Sequence, residues 1–282
     1  MPARFLVVPQ WQGSSSSRSM RLMDGAEAIR GDLPSSATTG VEVPLGAGDA
    51  LGTDVHRYSA LSGVRDGVVE ALTRAAGDDP TVVIGGDCGV ELGAVGAALA
   101  AHPGLAVVWF DAHPDLHVPA TSPSGAFHGM VARALLGDGA DGLVLQPGLD
   151  PRRLVLAGVR ACDPEEDAFI AEAGLTLHSP AQLDDPAALV AAVEASGADS
   201  VYVHVDLDVL DPDEIASVQL PEPFGVRVPA LVAAIRALRE RFPLAGAGIT
   251  EFAPASPADA AADLPAVLRV LSALTARQRP AA

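Results

Sequence analysis

Three times in this chain a run of apolar, β-prone residues ends abruptly in acidic side chains. Residues 81–84 lead into Gly85-Gly86-Asp87-Cys88. Residues 105–110 lead into Asp111-Ala112-His113-Pro114-Asp115. Residues 201–205 lead into Asp206-Leu207-Asp208-Val209-Leu210-Asp211-Pro212. Continuous apolar strands separated by Ala/Leu-rich helical stretches are the pattern of a parallel sheet covered on both faces. In such sheets ligands bind beyond the carboxyl ends of the strands, so the acidic segments are expected on one rim. Carboxylates buried there need a counter-charge, and so many on one rim point to bound metal.

The alternation reads as strands over residues 5–9, 81–84, 105–110, 154–159, 201–205 and 244–249. Helices are expected over 61–75, 89–101, 187–195, 229–241 and 258–276, the first from the near-helical spacing of Leu61, Val64, Val68, Val69 and Leu72. Residues 14–17 read as a polar loop, and 31–57 as a surface excursion rich in Gly, Pro and Thr. No repeat or linker divides the 282 residues, enough for one large α/β domain with a sizeable core.

Composition removes several classes of function. A formal net charge of −18 repels nucleic acid and anionic membrane surfaces. All 18 basic residues are arginines, which excludes lysine Schiff-base and P-loop chemistry. Two cysteines, Cys88 and Cys162, do not make a disulfide framework. The apolar run at the N-terminus is too short for a signal peptide, and no stretch approaches the roughly 20 apolar residues of a membrane span, so a cytoplasmic protein is expected.

The donors have a usable spacing. Asp111, His113 and Asp115 sit at i, i+2 and i+4, which share one face of an extended segment. Asp206 and Asp208 repeat that logic, while Asp211 before Pro212 is expected to organise a turn. His204 shares the face of Asp206 and is expected as a hydrogen-bonded core histidine behind the donors. The double glycine before Cys88 lets the backbone approach closely and bring in a sixth donor. Six donors, with Asp111 and Asp206 each able to bridge, suit two divalent ions about 3.5–4 Å apart.

Taken together, residues 82–254 resemble the ureohydrolase superfamily of arginases, agmatinases and related amidinohydrolases. The family pattern is Gly-Gly-Asp-His, Asp-Ala-His-x-Asp and Asp-x-Asp-x-x-Asp-Pro; the second and third are intact here, and the first carries Cys88 in place of histidine. The resemblance implies a single domain over residues 1–282 with a three-layer α/β/α sandwich and a mainly parallel central sheet. It implies a binuclear centre of two Mn2+ ions, other divalent metals being compatible, held by Cys88, Asp111, His113, Asp115, Asp206 and Asp208. Asp111 and Asp206 then bridge, and Asp115 also accepts a hydrogen bond from the nucleophile. The segment from His117 to Gly129 resembles the arginase loop that holds the substrate's α-carboxylate. Ser122 and Ser124 keep their hydroxyls there, whereas His117 and Ala126 replace amides. His128 falls on the family's proton-shuttling histidine. Asp163 and Glu166 match the acids that hold the α-ammonium, and Glu251 matches the glutamate that pairs with the guanidinium. Leu220 stands where the family has a threonine.

The implied reaction is hydrolysis of a small guanidino substrate of arginine type, L-arginine or Nω-hydroxy-L-arginine, giving urea or hydroxyurea plus ornithine. Thiolate is a softer donor than imidazole, less suited to manganese and better suited to zinc or iron. A cysteine at position 88 resembles the Nω-hydroxy-L-arginine amidinohydrolases of antibiotic pathways. The alternatives are an agmatinase, guanidinobutyrase or formimidoylglutamase-type ureohydrolase, a degenerate binding protein on the same scaffold, and a two-metal phosphoesterase. The last is disfavoured because the rim gathers acids and not cations. The chain ends soon after its last helix, so a long trimer-making tail is not expected; both a homo-oligomer and a monomer remain open.

Overall fold

The computed structural model describes residues 3–75, 77 and 79–276. Met1 and Pro2 of the N-terminal run, and the last six residues of the expected domain, lie outside them. Eight strands form one sheet: β1 (Arg4–Val8), β2 (Thr38–Gly40), β3 (Thr81–Gly85), β4 (Leu105–Phe110), β5 (Leu154–Ala157), β6 (Thr176–His178), β7 (Ser200–Asp206) and β8 (Leu244–Thr250). Their order is β2-β1-β3-β8-β7-β4-β5-β6, and every pairing is parallel. The expected α/β/α sandwich is therefore present. β4 and β7 are buried along their whole length, which is why they read as unbroken apolar runs.

Helices α1 (Arg21–Gly31), α6 (Ala187–Ala195), α7 (Val228–Arg241) and α8 (Pro257–Thr275) cover one face, where Ile29, Val193, Leu231 and Val270 meet Val108, Val203 and Ile249. Helices α2 (Tyr58–Arg74), α3 (Glu91–Ala101), α4 (Val131–Leu135) and α5 (Pro164–Ala173) cover the other, where Leu61, Leu92 and Val131 meet Val83, Val107, Trp109 and Tyr202. The odd residues of β4 and the even residues of β7 face this second layer, so Trp109 and His204 come side by side in register.

The sequence pattern left α1 unassigned. Its mean hydropathy is low, and a glycine, Gly25, interrupts the stripe of Leu22, Ala26 and Ile29. Gly25 explains the interruption: a Cβ there would lie 1.8 Å from the Phe252 carbonyl oxygen, so its absence lets α1 dock against the chain leaving β8. That contact braces the backbone next to Glu251. Gly63 in α2 has open space around it. Gly63→Ala is expected to stabilise by about 0.5–1 kcal/mol through helix propensity. Gly25→Ala is expected to destabilise by about 1–3 kcal/mol or more, because overpacking against backbone outweighs that gain. Urea denaturation of both variants measures the opposite signs.

Candidate metal centre

The acidic segments leave their strands by one local device. At each strand end an aspartate accepts a hydrogen bond from the backbone N–H two residues on: Asp87 from Gly89 at 2.8 Å, Asp111 from His113 at 2.6 Å, Asp206 from Asp208 at 2.8 Å. The turn thus takes one oxygen of each carboxylate and leaves the other to groups outside the turn. Asp87 spends both oxygens on structure, accepting also from Gln10 Nε2 at 2.7 Å and from the Gly13 amide at 2.8 Å. It ties the loop after β1 to the rim. Asp211 caps a turn through the amides of Asp213 and Gly225, as its position before proline suggests.

The remaining donors converge. Ligating atoms of Asp111, His113 and Asp208 lie within 4.8 Å of one another, and so do those of Cys88, Asp111, His204 and Asp206. Asp111 belongs to both groups. His113 Nδ1 is 3.1 Å from Asp208 Oδ2 and 3.6 Å from Asp111 Oδ1. Cys88 Sγ donates to Asp206 Oδ2 at 3.1 Å and lies 3.2 Å from Thr250 Oγ1. The Trp109 indole donates to Asp111 Oδ2 at 3.0 Å. Asp115 reaches the site by a different route from the expected one. It is not on an extended face, but in the left-handed region at φ 52°, and its Oδ2 is buried without a partner. Glu251, at φ 64°, is turned in the same way, its N–H donating to the Gly86 carbonyl at 2.7 Å; its Oε1 too has no hydrogen-bond partner.

Electrostatics follow from this crowding. Burial pushes the carboxyls of Asp115 and Asp206 well above the usual range, and neighbouring carboxylates add to it. Asp111 is raised by burial and by Asp208. Burial also raises Asp208, but His113 and the Ala112 amide outweigh it, so Asp208 is held low. Burial disfavours a charged His113, yet the hydrogen bonds and charges of Asp111 and Asp208 lift it to about 12. Burial and the surrounding acids push the Cys88 thiol up. Oxygen-rich donors, a shared carboxylate and orphaned buried oxygens fit a pair of divalent cations, which would supply the missing positive charge.

A cavity of about 300 Å³ opens onto these groups. His113, Asp115, His117, His128, Asp163, Glu166, Asp206, Asp208 and Glu251 all line it, as do Leu220 and Glu222. His128 Nδ1 is 3.5 Å from Glu251 Oε1, and its Nε2 meets the Ser15 hydroxyl at 3.1 Å. Burial lowers the His128 pKa, but the Glu251 carboxylate raises it overall. His117 Nε2 is 3.0 Å from Asp163 Oδ2 and 3.7 Å from Glu166 Oε2. Asp163 and Glu166 also form the capping box of α5. Ser122 and Ser124 are not brought into the lining; their hydroxyls accept from the Gly125 and Ala126 amides. Arg160 gives its guanidinium to backbone carbonyls, among them those of Asp208, Val209 and Glu222, and so clamps two rim loops together. Sequence reasoning missed Ser15, Gln10 and Gly13, because nothing local in an N-terminal loop signals a partner more than 70 residues away.

In the metal-free protein the raised carboxyls of Asp115, Asp206 and Asp111 bind protons more readily folded than unfolded. Their protonated form stabilises fully below the unfolded pKa of about 3.9, and this stabilisation is lost as pH rises through the higher folded values. The Tm of chelator-treated protein is expected to fall as pH rises above about 4, the ordinary carboxylate pKa, and less steeply in Asp206→Asn. Added Mn2+ reverses the trend, since ligands must be deprotonated to bind. Thermal melts with and without chelator read both slopes.

The family model for the arginase family matches residues 21–274. The arginase of Bacillus subtilis (strain 168) is 33% identical over 153 residues, which is 51% of this chain and about half (52%) of that relative's length. The N(omega)-hydroxy-L-arginine amidinohydrolase of Streptomyces lavendulae is 28% identical over 235 residues, 83% of this chain and 78% of that one. In structure, the Entamoeba histolytica arginase in complex with L-ornithine superposes with a TM-score of 0.86 at 21% identity, covering 96% of this chain and 97% of that chain. With its fold, its rim motifs and a family match over most of its length, this chain belongs to the arginase family.

Proposed function

We propose that the protein is a binuclear-metal amidinohydrolase that cleaves the guanidino C–N bond of an arginine-type substrate. The observation that carries this reading is the lining of one cavity. Asp115 Oδ2, which has no hydrogen-bond partner, and the Glu251 carboxylate, 3.5 Å from His128, stand there on a rim of donors suited to divalent cations. The proposed ligands are Asp111, His113, Asp115, Asp206 and Asp208, with Cys88 at the sixth position and Mn2+ as the metal. When bound, such a pair lowers the pKa of a shared water and so supplies a strong nucleophile at neutral pH.

The chain's own groups do the rest. Glu251 holds the planar guanidinium through its carboxylate, a pairing whose geometry places the central carbon against the rim. Asp115 Oδ2 accepts a hydrogen bond from the attacking water and keeps its lone pair on that carbon. His128, between Glu251 and Ser15, delivers a proton to the departing amine nitrogen. The oxygen–carbon bond forms, the carbon–nitrogen bond breaks, and the water's proton ends on the amine, leaving a urea and ornithine.

At the far side of the cavity, Asp163 and Glu166 favour a substrate with an α-ammonium over agmatine. His117 already stands against both acids, so an incoming ammonium shares them with the imidazole. Cys88 and the similarity to a hydroxyarginine amidinohydrolase support Nω-hydroxy-L-arginine as a substrate beside L-arginine. The test is release of urea or hydroxyurea from arginine, N-hydroxyarginine, agmatine, guanidinobutyrate and formiminoglutamate with Mn2+ present. The two arginines are expected to lead, chelator to abolish turnover, and Glu251→Gln to lower kcat/KM about 10²–10³-fold. Cys88→His is expected to shift the ratio toward arginine. Equal ranking in parent and variant shows that position 88 does not set preference, and a dead panel removes the hydrolase reading.

A further inference from the structure

His204 has surroundings that a core histidine does not explain. It is fully buried. Its Nδ1 has no hydrogen-bond partner, the nearest acceptor being Glu91 Oε1 at 3.6 Å. Its Nε2 points the other way, to Cys88 Sγ at a long 3.7 Å. An imidazole buried with so little satisfaction costs about 1–3 kcal/mol unless something more completes it. The ring is nonetheless held firmly. Trp109 stacks on it, with centroids 3.6 Å apart and planes 26° apart. Glu91 is itself fully buried, and neither oxygen has a hydrogen bond of normal length; its polar neighbours are His204 and the Tyr202 hydroxyl, whose pKa burial and Glu91 push up. Room for that carboxylate exists only because residue 248, next to His204 across β7 and β8, is glycine; a Cβ there would fall 1.6 Å from Glu91 Oε1.

We propose that His204 is itself a metal ligand. Its Nε2 gives the nitrogen donor to the ion that Cys88, Asp111 and Asp206 surround, and Glu91 accepts the Nδ1 proton and orients the ring. The four ligating atoms lie within 4.8 Å of one another, the span open to donors that sit about 2.0–2.4 Å from a common ion. Carboxylate, imidazole and metal in line is a general way to fix the tautomer of a ligating histidine and raise its basicity. Each ion of the pair then has one imidazole, His113 for one and His204 for the other. The nitrogen comes from β7, on the far side of β8 from β3, at whose end Cys88 stands; the two side chains meet at 3.7 Å. Cys88 keeps its place among the donors around that ion, and the affinity of the second ion rests chiefly on His204.

This inference rests on the binuclear reading above, and metal counting separates the two. Chelator-stripped protein is titrated with Mn2+ by equilibrium dialysis and metal analysis. Pulsed EPR on protein with ¹⁵N-labelled histidine then counts the coupled imidazoles. The parent is expected to bind two ions and show two coupled imidazoles. His204→Ala is expected to keep one tight ion, to bind the second at least 10–100-fold more weakly, and to show one coupled imidazole. Glu91→Gln keeps the shape and the ligand, and is expected to weaken the second ion about tenfold; it decides the matter if His204→Ala does not fold. Cys88→His combined with His204→Ala is expected to restore the second ion, because an imidazole at position 88 can reach the same place. Two ions of parental affinity in both His204→Ala and Glu91→Gln overturn the inference and leave the binuclear reading standing. A parent that binds no ion overturns both.

Discussion

Five carboxylates, those of Asp111, Asp115, Asp206, Asp208 and Glu251, are buried at one end of a parallel sheet with three imidazoles, His113, His128 and His204, among them. The sheet imposes this. Strands that are apolar on both faces must be covered on both faces, and whatever follows at their carboxyl ends is carried under the same cover. The chain manages the polar part locally: the turns at Asp111 and Asp206 each satisfy one oxygen, and Trp109, Ala112 and Cys88 satisfy others. Hydrogen bonds do not remove the repulsion between like charges, and burial magnifies it. What remains is an electrostatic cost that divalent cations turn into binding free energy. Metal affinity and folding are therefore coupled here through the same carboxylates.

The same rim depends on a loop distant in sequence. Residues 10–15 are pinned from two sides. Asp87 holds Gln10 and the Gly13 amide, and Arg57, stacked 5.0 Å over Trp11, donates to the carbonyls of Gln12 and Ser14. Gly13 in turn accepts the His128 amide, and Ser15 meets the His128 ring. A carboxylate in a metal-like motif thus acts at one remove: Asp87 belongs to neither donor group, but sets the wall against which His128 rests.

How much of this could be read from sequence follows the range of each interaction. The sandwich, most of its strands and five of its helices announce themselves through local periodicity, and the acidic segments through their place after apolar runs. Asp111, His113, Asp206 and Asp208 were legible because the turn that presents them spans only two residues. Asp115 was named for a face it does not use, since a positive φ is invisible in a pattern of types. Ser122 and Ser124 looked free in sequence but cap their own loop. Glu91 was hidden entirely, as a glutamate in the first turn of α3 reads as an ordinary favourable charge at a helix start.

The row formed by Trp109, His204 and Gly248 shows why such a feature escapes residue-by-residue reading. The three are neighbours in register on β4, β7 and β8, and Glu91 lies over the third. Each explains another. A side chain at position 248 would expel Glu91; without Glu91 the carboxylate 3.6 Å from His204 Nδ1 is gone; without Trp109 the ring plane is free to turn and Asp111 loses an indole hydrogen bond. None of the four carries a signal alone, because a tryptophan, a histidine, a glycine and a glutamate at those places each have an unremarkable core reading. Their joint meaning appears only when the sheet sets them side by side. β3 and β7 flank β8, so their ends stand about 10 Å apart, and the side chains of Cys88 and His204 close that gap, meeting at 3.7 Å beside Thr250 at the end of β8; a donor lost from one of these strands can thus be replaced from the other. Exchange of a ligand between strands is therefore a change this fold permits, provided that the packing behind the new ligand changes with it.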